Sequence, residues 1–412
     1  MGTNDAALVP EALTSEFLTD CLRTEMENHN IIIESFTTSR VVPPGQNFIG
    51  SPIRVHINYK NQAKDDDISF ISLIVKPEAI RDVAHTLTPI EPLFYNQFVP
   101  KANELINFQI VPRSFFSPIV STVILEDLKE KGFKMVNKAK MLDLEHCRLY
   151  FKAAATLHAT SIAVYQNNSS LLETIGKEKL FAEDSVVESL YKNLIRNGMK
   201  LLSECVENID RFKKYSKLVK DTSLILWDLL VEAMKPSAEL NTLNQGDPWT
   251  PNMMFRYDET GQVCDIRLLD FQLLRFSSPV SDLVFFIWSS ATHEVRRNRL
   301  QELYHLYVDT FNNTLKELDC KESLSYDQVR REERKLSPLA IYLVAGMPPF
   351  NSENSVVSLE PFLSKENEDD EAQKIYRKYY DEHYHSYHAP RYLEQLELVG
   401  VFEYLQDCQI SK

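Results

Sequence analysis

The sequence predicts an α+β protein of two lobes, with a β-rich first part followed by a mainly helical second part. The chain of 412 residues is longer than a single ordinary hydrophobic core requires. Strand-like patterns are concentrated in residues 41–128, and helical spacing of apolar residues prevails after them. We therefore expect an N-lobe at residues 1–128, a hinge near residues 125–130 and a helical C-lobe at residues 129–412.

The N-lobe is predicted to contain a helix and a β-sheet. Residues 1–40 predict a helix followed by a strand. Ile53–Tyr59 alternates apolar and polar side chains, and Ile68–Lys76 is a run rich in branched apolar residues, so each predicts a strand. Glu91–Phe98 predicts one short helix, and Val120–Leu125 predicts a further strand that leads into the hinge.

The C-lobe is predicted to be helical with one interruption. Asp143 can cap a helix whose apolar residues recur every three to five positions. Leu180–Leu202 and Leu218–Met234 also have helical patterns. Residues 240–275 break the pattern with a loop and two strands, and residues 280–345 return to helix.

The composition is that of a globular protein, with 44% hydrophobic and 25% charged residues. A formal net charge of −14 predicts no nucleic-acid partner and no anionic membrane partner. The longest apolar runs, such as Leu283–Trp288, are too short to span a bilayer. The six cysteines include no C-x-x-C pair, which favours reduced thiols and a cytoplasmic location. The sequence leaves the oligomeric state open.

The segment that carries chemistry is residues 243–252 (LNQGDPWTPN), followed eighteen residues later by Asp270. Phosphoryl transfer requires a carboxylate that accepts a hydroxyl proton, together with an amide and a second carboxylate that hold magnesium against the phosphates. Asp247 and Asn252 have the D-x-x-x-x-N spacing of a kinase catalytic loop, and a predicted hairpin over residues 253–270 returns Asp270 to the same cleft. Each piece alone is also ordinary turn chemistry, so the signal lies in their order.

The spacing of the glycines excludes two common phosphate-binding loops. The 10 glycines include no G-x-G pair and no G-x-x-x-x-G-K segment, which rules out the dinucleotide fingerprint and the Walker-type loop. The interpretation of the chain as a protein kinase lacks support, because the sequence has neither a G-x-G-x-x-G loop nor an A-P-E segment.

With its flanking residues, this segment resembles the ecdysteroid-kinase-like family, which is related to aminoglycoside and choline kinases. The H-G-D-x-W-x-x-N-x-x-F and I-D-F-Q motifs of that family resemble residues 245–255 and 269–272, and its E-D-L…G-F hinge resembles residues 126–133. Its F-H-A-x-S helix resembles residues 157–161. The resemblance covers most of the chain. It implies a two-lobed protein-kinase-like fold and a small-molecule kinase that uses ATP and Mg²⁺.

The resemblance also implies roles for individual residues. Asp247 would be the general base or the carboxylate that orients the substrate, and Asn252 and Asp270 would be the magnesium ligands. Lys76 would bind the α- and β-phosphates, as a cation at a strand end can. Glu91 would form an ion pair with Lys76.

Two alternatives stay open for this pair. Lys76 could be a solvated lysine at a strand end, and Pro92 is unexpected inside a helix. Either the helix begins near Glu91, with Pro92 in its first turn, or the pair is misassigned.

Further nucleotide contacts are implied at two places. Asn47 and Ser51 belong to a loop that resembles the family's loop over the phosphates, although a plain loop between strands is an equal alternative. Glu126 and Leu128 would bind the nucleotide at the hinge.

The acceptor site is expected in the helical lobe, facing Asp247. Trp249, Phe286 and Tyr342 are candidate walls, and each could equally be a core residue. The resemblance implies an acceptor hydroxyl on an ecdysteroid, or on a lipophilic plant or xenobiotic compound.

Gln245 departs from the family pattern, which has His at this position. Gln can hydrogen-bond a backbone carbonyl as His does but offers no ring to pack, so we expect reduced or altered activity rather than none. The alternative function is a catalytically weak or inactive kinase-like protein that binds ligands. Asp282 is expected to cap the next helix and to stabilise the catalytic loop.

Overall fold

The computed structural model describes residues 13–41, 52–61, 67–76, 90–352, 362 and 369–410. Within these ranges, the first part of the chain forms an antiparallel sheet of five strands in the order β1-β2-β3-β5-β4. The strands are β1 (Ile31–Arg40), β2 (Ile53–Asn61), β3 (Ser69–Lys76), β4 (Ser114–Phe115) and β5 (Val123–Glu126).

The two faces of this sheet have different partners. Helix α1 (Ser15–Glu25) packs on the face that carries the buried side chains of Val55 and Leu73. Arg54 lies opposite Ile74 in the β2–β3 register. Because side chains alternate along a strand, Arg54, Ile74 and Lys76 share the other face, away from α1.

A helix longer than predicted crosses from the sheet to the helical part. It consists of α2 (Ile90–Leu93), a π turn (Phe94–Phe98) and α3 (Val99–Leu105), where one short helix over Glu91–Phe98 was expected. Pro92 lies in the first turn of α2, which is a position that tolerates proline. Pro100 likewise lies in the first turn of α3, so neither proline ends the helical path.

The predicted strand Val120–Leu125 is wrong at its start, because Val120 is 78% exposed and β5 begins only at Val123. After β5 the chain turns at the hinge. The Asp127 side chain accepts a hydrogen bond from the Lys129 N–H and caps a short turn over Leu128–Lys131. The apolar core of the helical part extends to Val123 and Leu125 of the sheet. The boundary at residue 128 therefore stays a prediction.

The second part of the chain is mainly helical, which confirms the predicted α+β class. Its helices up to the catalytic segment are α4 (Leu144–Asn167), α5 (Ser169–Ile175), α6 (Glu188–Asn208), α7 (Ser216–Thr222) and α8 (Leu226–Ala233). The helices that follow this segment are α9 (Val280–Ser290), α10 (His293–Asn298), α11 (Leu300–Glu317), α12 (Tyr326–Lys335), α13 (Ser337–Gly346), α14 (Pro348–Asn351), α15 (Asp369–Tyr379), α16 (Ala389–Leu398) and α17 (Val401–Ile410).

Two predicted helices have different bounds. The helix expected from Leu180 begins only at Glu188, because the Glu178 carboxylate accepts the N–H groups of residues 179–181 and holds them in a turn. The helix expected over Leu218–Met234 is two helices. The Gln409 side chain donates to the Leu218 carbonyl and the Thr222 hydroxyl where α7 ends.

Two small strand pairs interrupt the helices. The predicted hairpin is present as β7 (Met253–Tyr257) and β8 (Val263–Leu268), so the second strand ends before Asp270. A second antiparallel pair was not predicted. It consists of β6 (Thr242–Asn244), which precedes the catalytic loop in the chain, and β9 (Arg275–Ser277), which follows Asp270. Within the described ranges, no helix combines the length and the apolar character that a membrane span needs.

Candidate active site

The catalytic loop begins where β6 ends, and a buried carboxylate anchors its backbone. Asp282 accepts hydrogen bonds from the N–H of Gln245 at 2.7 Å and from the N–H of Gly246 at 3.0 Å. Asp282 lies in the first turn of α9 and does not cap it, because the cap position is Pro279. The expected capping role is therefore wrong, and the structure agrees with the expected support of the loop.

Gly246 allows two loops to approach closely. Its φ is +88°, and an added Cβ would lie 1.8 Å from the carbonyl oxygen of Leu273. A side chain at this position is therefore excluded by backbone atoms as well as by its dihedral angle. Arg275 also donates from Nη2 to the Gly246 carbonyl at 3.0 Å, which ties the loop to β9.

Asp247 and Asn252 face each other inside the catalytic loop. The Asn252 amide nitrogen donates to the Asp247 carboxylate at 3.0 Å and to the Asp247 carbonyl at 2.9 Å. Asn252 therefore turns both of its N–H groups toward Asp247. Its amide oxygen is left for another partner.

Asp270 lies just beyond β8 in a left-handed backbone conformation, with φ of +62°. Aspartate tolerates this region better than most residues do. The preceding residue, Leu269, donates to the Asn252 carbonyl at 2.9 Å and accepts from the Gln245 side-chain amide at 2.7 Å. The strand end and the catalytic loop are thus held side by side.

Lys76 brings the sheet to the same place. Its Nζ atom lies 2.5 Å from Glu91 Oε2 and 3.8 Å from Asp270 Oδ1. Glu91 Oε1 also accepts the Phe271 N–H at 3.2 Å, and the rings of Phe271 and Phe94 stack at 4.0 Å. A strand, a helix and a loop therefore meet at one ion-pair network.

The electrostatics of the site are dominated by carboxylates in a recess. Burial, and then the nearby Asp270 carboxylate, raise the pKa of Asp247 to about 7. Burial raises the pKa of Asp270, and the nearby Lys76 cation opposes this shift. Burial disfavours the charge on Lys76, but Asp270 and Glu91 outweigh it and raise its pKa.

These side chains fit a magnesium ion. Mg²⁺ prefers oxygen ligands and in kinases takes only one or two carboxylates, with the remaining ligands from phosphates and water. Asn252 offers an amide oxygen, and Asp270 offers a carboxylate whose side chain is 36% exposed. A metal site built by protein side chains alone is a different case. Within the described ranges, no group of three or more His, Cys, Asp or Glu side chains could hold a metal ion.

The predicted nucleotide residues are only partly described. Asn47 and Ser51 lie outside the described residues. The Glu126 carboxylate accepts the Arg113 N–H at 2.9 Å and pairs with Lys131. Leu128 is buried in a small cluster with Phe133 and Met254.

Sequence reasoning missed a buried ion pair on the face of the sheet that carries Lys76. Arg54 Nε lies 2.5 Å from the Asp127 carboxylate, which also accepts the Ser72 hydroxyl at 2.8 Å. Alternation along β2 places Arg54 on one of two faces, but only the strand register shows that this face is also that of Lys76.

The candidate substrate residues have different surroundings. Phe286 is fully buried and stacks on Tyr150 at 3.8 Å, within the core. Trp249 lies under the Lys138 ammonium, whose nitrogen is 5.6 Å from the ring. Tyr342 packs in a cluster with Phe181 and other rings near the catalytic loop.

The Tyr-rich segment near the C-terminus packs on the helical part. His385 contacts the Cys205 sulfur at 3.3 Å, and His388 contacts His293 at 2.9 Å between ring nitrogens. His158 is buried and contacts the Tyr307 hydroxyl at 2.7 Å. These histidines therefore belong to the packing of helices.

Comparison with known proteins identifies one family. The model of the ecdysteroid kinase-like family matches residues 44–320, which is more than half of the chain. No curated protein matches.

Similar solved structures include three small-molecule kinases. An ethanolamine kinase of Plasmodium vivax is 12% identical, with 89% of this chain and 83% of that chain covered and a TM-score of 0.39. A choline/ethanolamine kinase family protein of Mesorhizobium loti is 10% identical, with 88% and 92% covered and a TM-score of 0.38. A glucosamine kinase is 12% identical, with 92% and 82% covered and a TM-score of 0.33.

Proposed function

This chain belongs to the ecdysteroid kinase-like family of small-molecule kinases, and from that premise we propose that it transfers the γ-phosphoryl group of ATP to a hydroxyl of a lipophilic acceptor. The acceptor would be an ecdysteroid, a xenobiotic or a plant secondary metabolite, and Mg²⁺ would be required.

One observation carries the proposal. An unbroken series of contacts runs from Glu91 through Lys76 to Asp270, and the loop that holds Asp270 is bonded to the loop that holds Asp247 and Asn252. Phosphoryl transfer depends almost entirely on the positioning of charges, and this series holds one cation, one amide and three carboxylates close together.

Asp247 would act on the acceptor hydroxyl. As the acceptor oxygen forms its bond to the γ-phosphorus, the hydroxyl proton passes to the Asp247 carboxylate and the bond from the γ-phosphorus to the β–γ bridging oxygen breaks. The products are a phosphate ester and ADP. A pKa of about 7 suits a base that must accept a proton near neutral pH.

Asn252 and Asp270 would hold the magnesium ion, which supplies charge neutralisation of the β- and γ-phosphates. Lys76 would bind phosphate oxygens, with Glu91 fixing its direction. Asn47, Ser51, Glu126 and Leu128 stay predicted nucleotide contacts.

The alternative is a protein that binds a similar ligand without efficient catalysis. Gln245 motivated it, but its side-chain amide donates to the Leu269 carbonyl at 2.7 Å and so joins the catalytic loop to the residue before Asp270. The Gln245 side-chain oxygen is buried and has no hydrogen-bond partner, which is a local cost to the stability of this loop. This local defect favours reduced turnover over a loss of catalysis.

Labelled ATP with a panel of hydroxylated lipophilic compounds tests the proposal. We expect a product that carries one added phosphoryl group by mass spectrometry, and its loss in Asp247→Asn. Asp265→Asn, on the surface of β8, is the matched control. Equal product from wild type and Asp247→Asn would overturn the role of Asp247, and binding of a panel compound without any product would favour the alternative.

A further inference from the structure

Arg54 and Asp127 form a buried ion pair between the sheet and the hinge. Arg54 Nε donates to Asp127 Oδ2 at 2.5 Å, and Arg54 Nη2 donates to Asp127 Oδ1 at 3.4 Å. The side chain of Arg54 is 11% exposed, and that of Asp127 only 2%. Two nitrogens of the guanidinium therefore hold one carboxylate, and this fixes the plane of the guanidinium.

Asp127 is itself held in place by its neighbours. Its carboxylate accepts the Ser72 hydroxyl at 2.8 Å and the Lys129 N–H at 3.2 Å, and its own N–H donates to the Ser72 carbonyl at 3.3 Å. Burial raises the pKa of Asp127, but the hydrogen bonds from Arg54 and Ser72 outweigh burial and lower the pKa. Asp127 is therefore ionised at neutral pH, so its pair with Arg54 is a charged one.

The ion pair lies between Lys76 and the hinge, on the face of the sheet that carries Lys76. Arg54 is opposite Ile74, two positions before Lys76 on β3, and Ser72 is four positions before it. Two positions of a strand span about 7 Å, and four span about 13 Å. Ile74 packs against the core of the helical part, so this face is turned toward the C-lobe. A nucleotide with its phosphates at Lys76 and its base at the hinge would pass along Arg54.

Stability alone is a poor reason for this ion pair. Burying two charges costs desolvation free energy, and apolar side chains of similar volume often stabilise a protein as well or better. Arg54 also keeps donors that the pair does not use, since no described residue accepts a hydrogen bond from its Nη1 atom. These N–H groups can donate to a ring nitrogen or to a ribose oxygen, and the flat guanidinium can pack on a base.

We propose that Arg54, held in position by Asp127, binds the nucleoside end of ATP, while Lys76 binds the phosphates. Arg54 is then a further nucleotide-binding residue, and Asp127 and Ser72 are positioning residues that act through it. This inference rests on the proposed function. It deepens that function, because it assigns the base and the phosphates to cations from two different strands of the sheet.

Nucleotide binding without an acceptor tests the inference. ADP and inorganic tripolyphosphate, each with Mg²⁺, serve as probes in calorimetry, because only ADP has a nucleoside. We expect Arg54→Met to weaken ADP binding about tenfold and to leave tripolyphosphate binding unchanged, whereas Lys76→Met should weaken both. Arg331→Met is the matched control, since Arg331 pairs with Glu239 through two nitrogens on the surface of α12 and should bind both probes normally.

Two further variants separate binding from folding. Arg54→Lys keeps a cation beside Asp127 but lacks the planar guanidinium, so it should weaken ADP binding nearly as much as Arg54→Met. Asp127→Asn should weaken ADP binding about threefold. The double variant of Arg54→Met and Asp127→Asn should be no weaker than Arg54→Met alone, because the two side chains act as one unit. In steady-state kinetics, Arg54→Lys should raise the KM for ATP and leave the KM for the acceptor unchanged.

The possible results distinguish this inference from the proposed function. Normal ADP binding by Arg54→Met and Arg54→Lys, or an equal loss of ADP and tripolyphosphate binding, would overturn the inference. Phosphorylation of an acceptor with a KM for ATP that is insensitive to Arg54 would overturn the inference alone. ADP binding that depends on Arg54, without any phosphorylated product, would support the inference and count against the proposed function. A wild-type protein that does not bind ADP would overturn both.

Discussion

The two sides of Asp247 are built in opposite ways. On one side, Lys76, Glu91, Asn252 and Asp270 form a polar network in which Lys76 contacts two carboxylates. On the other side, four rings pack against each other in a cluster that we call the aromatic wall: Phe181, Tyr191, Trp227 and Tyr342. Charged and amide groups make up the first side, and aromatic rings make up the second.

The difference reflects two kinds of interaction. Charges stabilise a transition state only if they are held in place beforehand, since reorganisation during the reaction would consume the benefit. Apolar contact has little directional preference, so a cluster of rings can hold helices together without fixed charges. The polar side therefore suits the proposed phosphoryl transfer, whereas the aromatic wall contributes packing of the helices beside it.

The largest expected effect would break the polar side. Asp270→Asn keeps the shape of the side chain but removes the charge that the metal requires, so kcat should fall by about three orders of magnitude or more. Asp265→Asn should leave kcat unchanged. Steady-state kinetics with saturating ATP and Mg²⁺ measure both. Near-normal activity of Asp270→Asn would show that the metal ligands lie elsewhere.

A smaller loss is expected for Glu91→Gln. Glutamine retains the hydrogen bond to the Phe271 N–H but loses the ion pair with Lys76, so kcat/KM for ATP should fall by about 10- to 100-fold. Glu91→Ala loses both interactions and should also lower the free energy of unfolding by about 1–2 kcal/mol. Urea titration separates the two variants. Equal kinetics for Glu91→Gln and wild type would mean that the ion pair does not orient Lys76.

The pH dependence follows from the raised pKa of Asp247. Its value of about 7 in the folded protein lies above the ordinary value of an unfolded aspartate, near 3.9. Because the folded state binds this proton more tightly, the contribution of Asp247 to stability is fully present below pH ~4 and is lost as the pH rises through ~7.

Two measurements check this sign. Asp247→Asn should be more stable than wild type at pH 8, by on the order of 1 kcal/mol after allowance for solvent, and equally stable at pH 4. The kcat/KM of the wild type should rise as the pH increases through ~7, since the base must be ionised. A variant that is less stable at pH 8 would contradict the raised pKa.

The smallest effect on turnover is expected at Gln245, whose side chain joins the catalytic loop to Leu269. Gln245→His can keep a donor to the Leu269 carbonyl and supplies the ring that the family pattern has at this position, so turnover should rise about two- to fivefold. Gln245→Leu, which has a similar volume but no donor, should lower it. Parallel kcat measurements decide, and an unchanged rate in both variants would exclude a supporting role for residue 245.

Much of the polar side could be predicted from the sequence, because its residues lie in short motifs. The spacing of Asp247 and Asn252 is a local feature, and so is the hairpin before Asp270. Both can be recognised without knowing how the rest of the chain packs. The bounds of the elements were less predictable. The Glu178 carboxylate, for example, delays α6 to residue 188, and helical periodicity does not register such a hydrogen bond.

The sequence by itself determined the α+β class, the order of the elements and the family, since these depend on periodicity and on motifs within a few residues of each other. Only the tertiary structure decided which distant side chains meet: Arg54 with Asp127, Arg275 with Gly246, and the four rings of the aromatic wall. The physical reason is that burial and electrostatic coupling depend on distance in space. Strand register and helix packing set that distance, and neither can be deduced from the spacing of residues along the chain.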